Sequence, residues 1–271
     1  MSFADSLQDH IDLTPEQLCV LTGLMGYRRL YGLNCDETVY EIHIGKDTIV
    51  KQIVEELVTD KRLTYGLDGR FHISQQLYEL VKTLGEPDKL LSFRSSDTEN
   101  ACFSLIKRNE STYMVTEIKQ KNSVRFFLMD SFESSSLLRR EMFAGKKGFE
   151  ADILFADLDY VRKCVRGSDF EIAKNHLRKS IRNDKICSEL MSLMINSLYS
   201  VSAVAQYRTQ YGFRDIGGFF VTAYKNGTLK ADIDSNSYVH FSPVTYDEVC
   251  AKLNVLLKSF FGAVRCEDMN I

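Results

Sequence analysis

The residue types that could carry chemistry in this 271-residue chain are its histidines, its cysteines and its neighbouring carboxylates. The five histidines, His10, His43, His72, His176 and His240, stand alone in sequence. None lies in an H-E-x-x-H run or has a second histidine at helical ligand spacing, so no metal site is marked. His72 and His240 fall on expected strands, where only folding could bring either against a cysteine to make a nucleophile and base. Glu55-Glu56 and the Asp232, Asp234 alternation could form carboxylate dyads, but a solvated helix face and a solvated strand face explain them. The chain contains neither G-x-x-x-x-G-K-[ST] nor G-x-G-x-x-G, and no G-x-S-x-G elbow. The expectation is a protein without catalytic residues, metal or cofactor, whose work is binding.

The formal net charge is -3, which offers no global field for a polyanion. The seven cysteines, Cys19, Cys35, Cys102, Cys164, Cys187, Cys250 and Cys266, are scattered without C-x-x-C spacing and are odd in number. That usage fits reduced thiols in a reducing compartment. No signal-like N-terminus and no apolar run of about 18 residues occurs, so a cytoplasmic protein without membrane insertion is expected.

The elements that must position any binding residue repeat. Ala101 to Lys107, Thr112 to Ile118 and Val124 to Met129 alternate as strands after a first strand near Leu91 to Arg94, and a helix is expected over Ser131 to Met142. A second series runs through Gly218 to Lys225, Asn226-Gly227, Thr228 to Asp234 and Tyr238 to Ser242, followed by a helix opened by Thr245 and striped by Val249, Leu253, Leu256, Leu257 and Phe260. Two meander-helix modules that pair edge to edge would make one antiparallel sheet with pseudo-twofold symmetry. Leu229, Ala231 and Ile233 alternate with Lys230, Asp232 and Asp234, so one face of that sheet is covered and the other wet.

Around the meanders the reading is helical. Thr14-Pro15-Glu16-Gln17 is a capping box with proline at the first helical position, and a second helix follows Thr48 with Ile49, Ile53, Val54 and Leu57 inward. Asp68-Gly69 suggests a type I′ turn between Lys61 to Leu67 and Arg70 to Ile73, and Ser74 caps a helix ending at Gly85. Asp152 to Arg166 reads as a helix, and Ser168 to Glu171 as a capping box for a long helix that kinks near Asn183-Asp184. The break at Gly145-Lys146-Lys147-Gly148 divides the chain into 1–145, with N-terminal helices, short hairpin and first module, and 146–271, with a helical segment and the second module. The expected fold class is α+β, a pseudo-twofold antiparallel sheet flanked by helical bundles.

This order of elements resembles the EspG-like cytosolic chaperones of type VII (ESX) secretion systems. The resemblance rests on the Leu18, Leu21, Leu24 helix, the Gly66-Leu67-Asp68-Gly69 turn, the Gln75 to Leu84 helix, the meander opening at Leu90-Leu91-Ser92-Phe93 and the second module. It covers roughly Leu13 to Gly262, and the charged N-terminal part departs from it. It implies a chaperone or adaptor whose partner is a secreted helical-hairpin protein or effector, and it leaves a homodimer open. With no tryptophan the chain lacks the W-x-G turn of the small secreted substrates, so it resembles the helper rather than the cargo. By analogy the loop Arg108, Asn109, Glu110 to Thr112 and the last helix are the partner-binding candidates; Phe261, off the core stripe of that helix, is the aromatic contact. The alternative is a winged-helix DNA-binding regulator, with the Thr48 to Asp60 helix in the groove and Lys51, Gln52, Lys61 and Arg62 contributing. Glu55, Glu56 and Asp60 oppose that role.

Overall fold

In the computed structural model, residues 10–33, 47–96, 102–118, 123–129, 138, 140–143 and 148–262 are described. The first half runs β1 (His10–Leu13), α1 (Pro15–Leu24), α2 (Asp47–Thr59), β2 (Leu63–Tyr65), β3 (Phe71–Ile73), α3 (Gln75–Gly85), then β4 (Lys89–Ser95), β5 (Phe103–Arg108), β6 (Ser111–Ile118) and β7 (Ser123–Leu128). A 3-10 turn at Arg140–Phe143 leads to β8 (Ala151–Leu154), α4 (Phe155–Arg166), α5 (Phe170–Ile181) and α6 (Asp184–Ile195). The chain continues through β9 (Tyr199–Thr209), β10 (Gly212–Tyr224), β11 (Gly227–Ile233), β12 (Tyr238–Pro243) and α7 (Tyr246–Phe261).

Ten strands form one antiparallel sheet in the order β1-β7-β6-β5-β4-β9-β10-β11-β12-β8. The two meanders meet where β4 pairs with β9, from Lys89 opposite Tyr207 to Ser95 opposite Val201. Each half therefore reads strand, helices, four-strand meander, and its opening strand returns to pair with the last strand of its own meander, β1 on β7 and β8 on β12. The repeated unit is larger than the meander-helix module expected from sequence. It includes an edge strand and a helical layer.

Register fixes which side chains share a face. Leu91, Phe93, Leu105, Val201, Ala203, Ala205, Phe219 and Val221 point to the front, where Leu253, Leu256, Leu257 and Phe260 of α7 complete the central core. The small Ala203 and Ala205 let this helix approach the sheet, and a Cβ on Gly217 would lie 3.3 Å from Leu256. Burying one such leucine contributes about 1.5–3 kcal/mol. On the back face, α1, α2 and α3 pack Leu18, Leu21, Leu57 and Leu80 against Ile106, Tyr113, Val115 and Phe126. The helices α4, α5 and α6 pack Val161, Leu177 and Leu190 against Tyr224, Leu229, Val239 and Phe241.

Local signals explain several boundaries. Thr14 Oγ1 accepts from the Gln17 amide while Gln17 Oε1 accepts from the Thr14 amide, both at 3.2 Å, and Thr245 with Glu248 repeats the device at α7. Other expectations are corrected. Ala151–Leu154 is a strand rather than the start of a helix, because β12 offers it a free edge. Ser168 takes a positive φ of 66° and no side chain caps α5. The expected kink is a complete break, with Arg182 left-handed and the Asn183 side chain capping a new helix. The β2–β3 connection has positive φ at Gly69 and not at Asp68, with Gly66 N–H donating to Arg70, so it is a five-residue loop instead of a type I′ turn. Ile49 faces solvent, while Ile53 and Leu57 are buried. The helix expected over Ser131 to Met142 lies mostly outside the described residues.

Candidate protein-binding surface

The two helical layers leave part of the back face uncovered. On β4, β9 and β10 the back-facing row Ser92, Val204, Gly218 and the next row Arg94, Ser202, Phe220 belong to neither bundle. Val204 is 38% and Phe220 41% exposed, and Arg94 and Gly218 are exposed too. Beyond them, Ile233 on β11 faces the same way and is open. On the N-terminal side Tyr31 packs on Phe213 at 5.1 Å, and on the other side α6 approaches β10. Strands lie about 4.8 Å apart, so β4 to β10 spans roughly 10 Å, close to the diameter of a helix with its side chains. The strip lies on the line where the two halves meet.

Polar pairs lie along its margins. Gln206 Nε2 donates to Asp215 Oδ1 at 2.8 Å, and Ser197 and Thr222 hydroxyls lie 3.0 Å apart. The strip thus presents Val204 and Phe220 interspersed with Ser92, Arg94 and Ser202 and bordered by these polar pairs, a mixed composition of the kind that protein-docking surfaces show. Sequence reading passed over Val204 and Phe220. The alternation Ser200, Ser202, Val204, Gln206 against Val201, Ala203, Ala205 was the signal, but which face is covered depends on helices distant in sequence.

The residues singled out from the sequence are dispersed. Asn109 and Glu110 form the exposed two-residue tip of the β5–β6 hairpin, with Asn109 at φ 51° and its amide donating to Asp88 Oδ2 at 2.7 Å. Arg108 precedes the tip and pairs with Glu86 at 3.0 Å. Thr112 is not part of the loop: it sits within β6, 2% exposed, opposite Lys107, so its side chain is not available to a partner. Phe261 is half-buried, edge-on to Phe260 at 5.3 Å, and packs against the central core.

Phe261 also belongs to a cluster that sequence reading missed. The Lys89 ammonium donates to the carbonyls of Ser259 and Gly262 at 2.6 and 2.7 Å, and Lys107 donates to that of Phe261 at 2.6 Å. Two lysines from adjacent strands thereby cap the C-terminal carbonyls of α7, where the helix dipole favours positive charge. Burial pushes the Lys89 pKa below its ordinary value, and the neighbouring Lys107 charge adds to the shift.

The histidines and acids fall into local ion pairs. His240 lies between Asp152 at 2.7 Å and Asp234 at 3.3 Å, and these two bonds, the one to Asp152 first, raise its pKa. Asp232 meets Lys230 and Lys252 rather than Asp234, so these two carboxylates form no dyad. His72 reaches Asp68 at 3.3 Å, and His176 reaches Asp157 at 2.7 Å. Among the described residues no group of three His, Cys, Asp or Glu could hold a metal, and no helix is long and apolar enough to cross a membrane. On α2 the exposed Gln52 side chain donates to Glu56, next to Glu55.

No protein-family model matches this sequence, and no curated protein sequence matches it. Among solved structures, the fold is similar to the Mycobacterium tuberculosis type VII secretion system chaperone EspG5, determined in complex with a PE25-PPE41 dimer. The likeness covers 95% of this chain and 99% of that chain, with a TM-score of 0.57 and 13% sequence identity. A ten-strand antiparallel sheet with its two halves joined at β4 and β9 and helices on both faces is, over nearly its whole length, an EspG-like fold.

Proposed function

We propose that this chain is a non-enzymatic chaperone or adaptor that holds a secreted helical partner, and that the partner seats on the open back-face strip. The observation that carries the reading is the strip itself: exposed Val204 and Phe220 on a floor one helix wide, between the two helical layers that pack on that face. A helix laid into such a groove buries apolar anchors while its polar side stays in water. The EspG-like fold supports it, since the similar protein is a chaperone solved with a dimer bound. The halves 1–145 and 146–271 act as one unit in this account, because the floor is built from strands of both. Asn109, Glu110 and the Arg108–Glu86 pair would serve at the end of the sheet as polar rim contacts, with Thr112 and Phe261 contributing by holding the hairpin and the α7 terminus in place. The site of action would be the cytoplasm.

The test is to purify tagged protein from its native cytosol, identify what co-elutes, and map amide protection on the reconstituted complex. Protection concentrated on β4, β9 and β10 supports the reading. Recovery of the protein alone with its genomic neighbours expressed, or protection elsewhere, counts against it. The DNA-binding alternative gains no support from the acidic outer face of α2.

A further inference from the structure

The floor of the back-face strip holds a charge that no described residue answers. Arg94 is exposed on β4, opposite Ser202 on β9 and in one row with Phe220 on β10. Among the described residues its guanidinium has no ion-pair or hydrogen-bond partner. The other charged groups along this lane have neighbours. Asp215 accepts from Gln206 at 2.8 Å, and Arg29 lies over the Tyr31 ring at 5.1 Å. Arg208 stands across from Asp88, whose carbonyl accepts its amide at 2.8 Å and whose carboxylate accepts the Asn109 amide at 2.7 Å. Glu189 of α6 is held by Tyr224 and Asn226 at 2.9 and 2.8 Å. At the end of the lane nearest Arg94 the polar groups are hydroxyls: Ser96, which accepts from the Ser200 amide, and the Ser197–Thr222 pair.

We propose that Arg94 selects the partner: the helix seated on the strip brings a carboxylate to this guanidinium while its apolar side chains cover Val204 and Phe220. This selection rests on the strip being the partner's seat, and it adds the chemistry the partner must carry. The open lane follows the strands between the two helical layers, so the axis of a seated helix lies over β9. Arg94 and Phe220 then flank it from β4 and β10, two strand spacings or about 10 Å apart. A helix about 10–12 Å across touches Val204 with its underside and reaches Phe220 and Arg94 with opposite flanks. Successive helical residues turn by about 100°, so the pattern required is an apolar face at i, i+3, i+4 and i+7 with Asp or Glu one position from it. Gly218 leaves a gap between Val204 and Phe220, and a Cβ there would lie 2.8 Å from the Ala203 carbonyl, so an apolar anchor of the helix fills that place. An arginine–carboxylate pair is charge-assisted and can be bidentate, and arginine is enriched among the residues that dominate binding. With a net charge of -3 the chain has no general field that attracts an acidic helix, so the preference falls to Arg94.

Two helical peptides of about 20 residues test this, identical in an apolar i, i+3, i+4, i+7 face and differing only in Glu or Lys at the positions that flank it. Titrated against the full chain at low salt, the Glu peptide should bind about tenfold or more tightly than the Lys peptide, and added salt should narrow the difference. Arg94→Gln should abolish the preference and Arg94→Glu should reverse it. Because Arg94 is exposed, both variants should keep the wild-type thermal midpoint within about 1 °C. Equal binding of the two peptides to wild type, or a Glu preference that survives Arg94→Gln, overturns the proposal. Val204→Arg with Phe220→Glu separates this from the reading of the strip. Peptides that bind wild type equally and are lost by the double variant remove the selection by Arg94 alone. Binding indifferent to the double variant, or no binding of either peptide to wild type, removes the strip as the seat as well.

Discussion

Replacing Lys89 with methionine would remove the charged group that terminates α7 while keeping a side chain of similar length. Lys89 is 4% exposed and donates to two helix-terminal carbonyls, Ser259 and Gly262. Hydrogen bonds from a charged donor contribute about 1.5–3 kcal/mol each, and removing one partner strands the other. Against that stands the relief of a buried charge and of its repulsion by Lys107. The balance is a loss of about 2–3 kcal/mol, and in a chain of this size roughly 2 °C per kcal/mol gives a fall of about 5 °C in thermal midpoint. Hydrogen exchange at the amides of Lys258 to Gly262 should quicken in the variant. The folded-state pKa is depressed, so the unfolded chain binds the proton more tightly and stability should rise with pH between that depressed value and 10.5. Lys89→Met should lack this rise. A midpoint unchanged within about 1 °C, or raised, would refute the cap and show that the cost of burying the charge dominates.

Other substitutions address separate parts of the structure. Gly32 has φ +74° and a Cβ there would run into the Ile106 side chain, so Gly32→Ala should cost about 2–3 kcal/mol in chemical denaturation; a neutral effect would mean that the 29–33 segment does not pack on β5. His240, raised above 6.5 by Asp152 and then Asp234, should stabilise the β8–β12 edge fully below pH 6.5 and lose that contribution as pH rises through its folded value. Denaturation midpoints of wild type and His240→Gln should therefore diverge at acid pH and converge at alkaline pH, and parallel curves would count against the pairing.

The parts of the fold readable from sequence are those specified within one element. The Thr14 and Thr245 capping boxes close within three residues, and the α7 stripe is periodic, so both emerge without knowledge of neighbours. The edge-to-edge join of the meanders was legible because each presented an alternating strand series. What was not legible depends on partners distant in the chain. Ala151–Leu154 is a four-residue strand only because β12 pairs with it, and nothing in its composition opposes a helix. The left-handed Ser168 and Arg182 adopt a conformation that sequence rules reserve for glycine or asparagine. The lysine cap joins residues separated by 170 and 173 positions, and the open strip exists because two distant helical layers stop short of one another.

The most direct measurement of the central account is partner affinity after altering the strip alone. Val204→Arg with Phe220→Glu replaces two exposed side chains and leaves both helical cores untouched, so the thermal midpoint should stay within about 1 °C. Titration of the co-purified helical partner should then show binding weakened at least a hundredfold, as expected when two apolar anchors worth about 1–2 kcal/mol each are lost and charges are buried in their place. Equal affinity for wild type and the doubly substituted protein would contradict the assignment of the strip as the binding surface.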